Sequence, residues 1–349
     1  MRKFDYSFLE KDIPAKITSY LFAIERNRGV AKSLYEKYPK VFTNLVKIAK
    51  IQSVKASNAI EGIVTTDKRI ESIVNKDTEP LNHDELEIAG YRDVLQTIHT
   101  DYKELDINLR QILLLHRTLL DHAQTSDRGS LKKDNNVIVE KSSDGTRRVR
   151  YVPTSAKDTP AAMEQLELAF IEARANSNIN PLLLIPCYIV DFLCIHPFDD
   201  GNGRMSRLLT LLLLYKSGYD VGKYVSLEYI INKNKAYYYQ SLATSSTKWH
   251  ENENTYWPFI ENFLMTLLSA YNELADRYEI IKDKKLSKAE RVEETIKQSV
   301  GKITKEDIHN IWPDISYNTI ELELSKLLEE GLIKKIGTTN GVSYVWAKK

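Results

Sequence analysis

The sequence predicts a mainly α-helical chain with one β-hairpin near its middle and a winged helix-turn-helix unit at its C-terminal end. Three observations carry this. Apolar residues recur at helical spacing through most of the first 281 positions. Period-2 alternation is clear in one place there, where Val137–Glu140 and Arg147–Val152 flank Ser142-Ser-Asp-Gly145. Beyond the charged stretch Lys282–Lys288 the order becomes three helices followed by two strands.

Taken in order, Asn44–Glu61 carries Leu45, Ile48, Ile51 and Ile60 at helical spacing, and Gly62 is a natural stop. Further helices are expected near 83–100, 108–121, 160–175, 181–195, 203–217, 234–244 and 255–281. The two short strands form a hairpin over 136–152 with an Asp-Gly turn, and Pro153 ends it. The polar run at 282–288 reads as a linker or exposed helix end, dividing the chain into domains 1–285 and 286–349. In the second, helices are expected at 288–299, 304–311 and Tyr317–Glu330, the last opened by Ser316 as N-cap and stopped by Gly331. Strands Leu332–Ile336 and Val342–Trp346 follow, joined by Thr338–Gly341.

Composition agrees with two domains, since 349 residues at roughly 150 per domain gives about two. The balance of 49 basic against 48 acidic residues excludes a chain that coats nucleic acid through bulk charge. With 42% hydrophobic residues it can bury a sizeable core. Cys187 and Cys194 are seven apart in one helical segment, about 10.5 Å along its axis, too far to bridge. No signal peptide or membrane span is visible, so a soluble, cytoplasmic chain with no membrane partner is expected.

The chemistry is concentrated in His196-Pro-Phe-Asp-Asp-Gly-Asn-Gly-Arg-Met-Ser-Arg207. One apolar helix delivers a histidine into a glycine-bearing loop, and a second helix starts at once. Glycines let backbone N–H groups converge, and a helix N-terminus adds about half a positive charge, so the loop is an anion site suited to phosphate. Arg204 and Arg207 share a face of the first turn, where cations oppose the helix dipole unless an anion binds between them. Asp199 and Asp200 are hard oxygen donors of the kind that share Mg²⁺ with a polyphosphate. His196 is the nearby group able to act as a base near pH 7. Singly, each of these is more often a cap, a turn or a solvated carboxylate; together within twelve residues they point to a nucleotide site. Phe198 is read as the loop's anchor in the core.

This segment resembles the signature of the Fic (filamentation induced by cAMP) family, H-x-F-x-[D/E]-G-N-G-R-x-x-R, at every fixed position, and weaker likeness extends over most of 1–281. The resemblance implies a Fic-type helical core with a hairpin flap and transfer of AMP from ATP to a Ser, Thr or Tyr hydroxyl of a protein. It implies His196 as general base and Asp200 as Mg²⁺ ligand. Gly201, Asn202 and Gly203, with the backbone through Met205 and Ser206, would cradle the α- and β-phosphates, and Arg204 and Arg207 would take the outer ones. Lys235–Leu242 is similar to the family's adenine-side region, with Tyr239, Leu242 and Tyr229 as candidates, although aromatic residues at helical spacing are commonly core. The hairpin 136–152 is similar to the flap that pairs with an extended stretch of a target protein. A sister branch that transfers the terminal phosphate carries lysine where this chain has Gly203, which favours AMP transfer.

Ser57-Asn-Ala-Ile-Glu-Gly62 is similar to the family's inhibitory motif, [S/T]-x-x-x-E-[G/N]. Glu61 closes a helix at its negative end, so it should seek a cation from elsewhere; the resemblance implies that Glu61, beside Ser57, pairs with Arg207 in place of the γ-phosphate. Some relatives use this glutamate for the reverse reaction, removal of AMP. Gly129-Ser-Leu-Lys132 departs from the family's Gly-x-x-Arg before the flap. Self-modification and a homodimer are compatible with the reading. In the last domain the helix at 317–330 holds four glutamates and one lysine, so DNA binding by 286–349 stays open beside protein binding, with Lys334, Lys335, Lys348 and Lys349 giving the wing some positive charge. The competing function is a nucleotide-responsive DNA-binding regulator with a Fic-like core.

Overall fold

The structure is a computed structural model that describes residues 2–37, 39–141, 147–282, 287–299, 302–312, 314–337 and 342–347. Helices α1 (Ala15–Lys37), α2 (Pro39–Ile60), α3 (Asp67–Asn75), α4 (His83–Asp101) and α5 (Leu109–Asp121) precede the hairpin of β1 (Ile138–Lys141) and β2 (Arg147–Tyr151). There follow α6 (Thr159–Ala175), α7 (Pro181–Ile195), α8 (Asn202–Lys216), α9 (Leu227–Lys233), α10 (Lys235–Ser246) and α11 (Trp257–Lys282). The expected helices are present with ends shifted by a few residues, and the expected hairpin is antiparallel, pairing Val139 with Val149. Its Asp-Gly turn lies outside the described residues, as do the centre of the linker, the Thr338–Gly341 turn, Lys348 and Lys349.

Three helices escaped the sequence reading. Along α1 the deeply buried residues Ile17, Ile24 and Ala31 recur once every seven positions, a seam too narrow to register as an amphipathic stripe, and it packs on α11. Helices α3 and α9 are short and rely on side-chain caps, Thr66 receiving the Arg69 N–H and Ser226 the Tyr229 N–H.

The centre is the antiparallel pair α7 and α8. Residues 182–195 of α7 are buried throughout, as expected of a helix apolar on all sides. Helix α4 crosses α5 so closely that a Cβ on Gly90 would lie 1.9 Å from the Leu119 carbonyl oxygen, so only glycine fits there. Cys187 and Cys194 are both buried and unpaired. Among the described residues no helix is long and apolar enough to cross a membrane.

The C-terminal segment comprises α12 (Lys288–Gln298), α13 (Lys305–Ile311), α14 (Tyr317–Glu329), β3 (Ile333–Ile336) and β4 (Ser343–Trp346). It has its own core, including Val292, Ile308, Trp312, Leu324 and Ile333. Ile303 bridges Tyr344 and adds a short rung to the ribbon. Helix α13 rests on the larger unit: Lys55 of α2 bonds both Asp67 and Glu306 at 2.6 Å, and the Tyr229 hydroxyl donates to Asp307 Oδ1 at 2.5 Å.

Candidate active site

The turn between α7 and α8 is built from the backbone outward. His196 caps α7 in a left-handed conformation (φ 52°, ψ 63°), a geometry that costs a non-glycine residue roughly 1 kcal/mol or more. Its N–H still bonds the Phe192 carbonyl at 2.9 Å, so the chain reverses without losing the helix's last hydrogen bond. Phe198 is fully buried and stacks on His116 with centroids 3.7 Å apart. His116 accepts the Gly129 N–H at Nδ1 (3.0 Å) and donates from Nε2 to the Asp200 carbonyl (3.1 Å), which fixes its neutral tautomer; burial lowers its pKa. Asn202 closes the loop, accepting from the Phe198 N–H at 3.0 Å and donating to its carbonyl at 2.8 Å. Gly201, at φ +80°, provides the left-handed step into α8.

Helix α8 begins here, and Gly203 of its first turn stands against the end of α2. The two meet so closely that a Cβ on Gly203 would lie 2.2 Å from Glu61 Oε1. Glu61 Oε1 also accepts from Arg207 Nη2 at 2.7 Å. Arg207, only 3% exposed, donates from Nε to Ser57 Oγ at 2.8 Å and from Nη2 to the Ser57 carbonyl at 3.0 Å. Lys235 Nζ bonds the Ile60 carbonyl at 2.6 Å, capping α2 at its negative end. A carboxylate thus sits on the positive end of α8 and against its arginine.

Beside this contact lies a cavity of about 1120 Å³. Glu61, His196, Gly203 and Arg207 line one side, the hairpin residues Val139, Arg148 and Arg150 another, and Tyr238, Tyr239 and Leu242 of α10 a third. Arg150 fastens the hairpin to α10, donating to the Tyr239 carbonyl at 3.0 Å with its guanidinium 5.6 Å from the Tyr239 ring centre. His196 Nδ1 faces the Leu193 carbonyl at 3.3 Å, which leaves the Nε2 lone pair available. Burial pulls the His196 pKa down to about 4; the Leu193 carbonyl opposes this, and Lys132 adds to the lowering.

The site residues fall into two groups. His196, Gly203, Arg207, Tyr239, Leu242 and Glu61 meet at the cavity; Ser57 bonds Arg207 behind it, and Gly201 packs against His116 and Leu119. Arg204 does not face it. It is 1% exposed and is held between Glu87 Oε2 at 2.6 Å and Asp200 Oδ2 at 2.9 Å, because α8 turns that position toward α4. Met205 belongs to the apolar core, the Ser206 hydroxyl bonds the Gly203 carbonyl, and Asn202 spends its amide on the loop. These side chains shape the turn, so the groups there that could meet an anion are backbone amides and Arg207. Tyr229 lies away from the cavity, bonded to Asp307 of the C-terminal unit. Tyr229→Phe should therefore loosen the contact of α13, read as faster limited proteolysis between the two units, while the lining of the cavity stays as it is.

Asp200 suits Mg²⁺. Its carboxylate is 62% exposed and oriented by Arg204 and by the Gly201 N–H, and among the described residues no group of three or more His, Cys, Asp or Glu forms an all-protein cage. A single exposed carboxylate of this kind could hold Mg²⁺ that takes its other oxygens from phosphate and water. Sequence reasoning missed the roles of Lys235, His116 and Glu87, whose partners are distant in the chain, and met Lys132 only as a departure from a pattern.

Residues 106–214 match the profile of the Fic/DOC family. A protein adenylyltransferase Fic of Drosophila virilis is 27% identical over 204 residues, covering 57% of this chain and 39% of that protein. The Drosophila yakuba protein of the same name is 31% identical over 144 residues, 40% of this chain and 26% of that one. The chain thus spans well under half the length of these curated relatives. A Fic family protein from Desulfovibrio desulfuricans superposes with a TM-score of 0.63 at 19% identity, covering 97% of this chain and 98% of its own. A Fic domain-containing signaling protein from Bacteroides thetaiotaomicron gives 0.60 at 21% identity over 72% and 95%. At such identities the structural likeness speaks for the fold.

Proposed function

We propose that this chain, which belongs to the Fic/DOC family through its residues 106–214, transfers AMP from ATP to a hydroxyl side chain of a protein. One observation carries the reading: a histidine lone pair, the amide end of a helix and a buried arginine line one cavity large enough for a nucleotide. The adenine would lie against Tyr239 and Leu242, and the phosphates would follow the α8 N-terminus toward Arg207. Mg²⁺ held by Asp200 would neutralise phosphate charge. The incoming hydroxyl oxygen attacks the α-phosphorus, the bond between that phosphorus and the bridging oxygen breaks, and pyrophosphate leaves. His196 Nε2 takes the hydroxyl proton.

The substrate segment would run along the hairpin, whose Val139 and Val149 are exposed, as an added strand beside it. Glu61 would act as a brake, since its carboxylate stands on the α8 end and on Arg207, where the terminal phosphate belongs. Incubation of the Glu61→Gly protein with Mg·ATP labelled either at the α- or at the γ-phosphate tests the reaction. Label should enter protein from the α-position only, with a mass gain of one AMP. Incorporation from the γ-position would make it a phosphotransferase instead.

A further inference from the structure

The base is held by a clamp that no part of the twelve-residue motif supplies. Lys132 lies in the loop before the hairpin and is 3% exposed. Its N–H bonds the Pro197 carbonyl at 2.9 Å. Its ammonium donates to the Ile195 carbonyl at 3.1 Å and to Asn136 Oδ1 at 2.9 Å. Asn136, at the foot of the hairpin, in turn donates to the Phe198 carbonyl at 3.2 Å. The carbonyls of residues 195, 197 and 198 are therefore pinned from one side, bracketing His196 at its left-handed step. That conformation is unfavourable for histidine and persists only where its surroundings hold it.

We infer that Lys132 is a positioning residue for the base: with Asn136 it fixes the backbone on both sides of His196, and its ammonium is one of the charges that act on the imidazole. The inference deepens the AMP-transfer reading and rests on it for its kinetic arm. An arginine could not place a compact ammonium at both acceptors, whereas lysine's point charge fits this narrow, buried position. The electrostatic part follows from placement. The charged groups acting on His196 are Lys132 from the pre-hairpin loop, Glu61 from α2 and Asp200 from the turn. Of these, Lys132 opposes protonation, adding to the larger effect of burial, while the two carboxylates favour it. Burial also pulls the Lys132 pKa down to about 8, with Asp199 opposing, so the clamp is cationic at neutral pH and loses charge above it.

The test compares Lys132→Met, Lys132→Arg and Asn136→Ala, each in the Glu61→Gly protein so that the field of Glu61 is absent throughout. For Lys132→Met, kcat should fall about 10- to 100-fold, as for a misplaced base, with the KM for ATP little changed. The acid limb of its pH–rate profile should move upward, since a nearby cation has gone. Asn136→Ala should lower kcat without moving that limb, which keeps the positioning part testable should Lys132→Met fold poorly. Lys132→Arg should restore the limb but not the full kcat. Independently of any transfer, the His196 imidazole titrated by NMR should protonate at higher pH in Lys132→Met than in its parent. An unchanged imidazole titration overturns the inference, as does unchanged kcat in both Lys132→Met and Asn136→Ala. Absence of transfer from Glu61→Gly itself, with the NMR shift present, would count against the AMP reading and leave the electrostatic clamp supported.

Discussion

Glu61→Gly should raise AMP incorporation roughly five- to 150-fold, the span of a coupling of about 1–3 kcal/mol between two mutually exclusive occupants. Four contacts define the competition. Glu61 Oε1 meets Arg207 Nη2 at 2.7 Å; it lies so near Gly203 that a Cβ there would be 2.2 Å away; Ser57 holds Arg207 Nε at 2.8 Å; and Lys235 holds the Ile60 carbonyl. An incoming phosphate must displace a carboxylate that already satisfies a buried guanidinium, and an unpaired guanidinium there would be costly. Glycine leaves Arg207 with its two bonds to Ser57 and Lys235 on the end of α2, so the gain in rate should come with some loss of stability but with the fold kept. Rates measured with α-labelled ATP and the wild-type and Glu61→Gly proteins decide the matter; equal rates would remove the brake. Ser57→Ala should release less, because the Ser57 carbonyl still receives Arg207 Nη2 at 3.0 Å.

The legible part of the molecule was local. The turn could be read because its glycines, histidine and arginines are contiguous, and the physics of a helix N-terminus makes their conjunction informative. The Glu61–Arg207 contact spans 146 positions and was reachable from the resemblance, with the misplaced charge at a helix end as the one physical hint. Arg204 shows the limit. Its periodicity put it beside Arg207, but its partner Glu87 lies 117 positions away, and pattern alone cannot tell a buried pair from a phosphate ligand. Tyr229 shows the same limit, since an aromatic ring near the right helix reads the same whether it faces a cavity or, as here, bonds another unit. Helix α1 was invisible because one buried residue in seven gives almost no periodic signal. Lys132 was noticed as a departure from a pattern, yet its role depends on three carbonyls more than sixty positions away.

His196→Ala should lower the transfer rate about 10²- to 10⁴-fold, the usual worth of a positioned base, with ATP binding retained because Gly203, Arg207, Tyr239 and Leu242 are untouched. The background should be Glu61→Gly, so that the loss is read from an active enzyme. The same residue sets the pH dependence. Burial holds the His196 pKa down at about 4, so the imidazole is neutral and able to accept a proton above that value and is lost as a base as pH falls through it. The acid limb of kcat/KM, which reports the free enzyme, should therefore lie well below the 6.5 of an ordinary histidine. A base so weak gains little driving force for removing an alcohol's proton. Bound polyphosphate changes this: its negative charge beside the imidazole favours the protonated form and raises the pKa in the complex. The limb of kcat, which reports the complex, should consequently lie at higher pH than that of kcat/KM. Coincident limbs near 6.5, or full activity in His196→Ala, would take the proton-transfer role away from this residue. The direction of the split matters most, because nucleotide charge can move the limb only upward, whereas a purely structural histidine would leave both profiles without a His196-dependent limb.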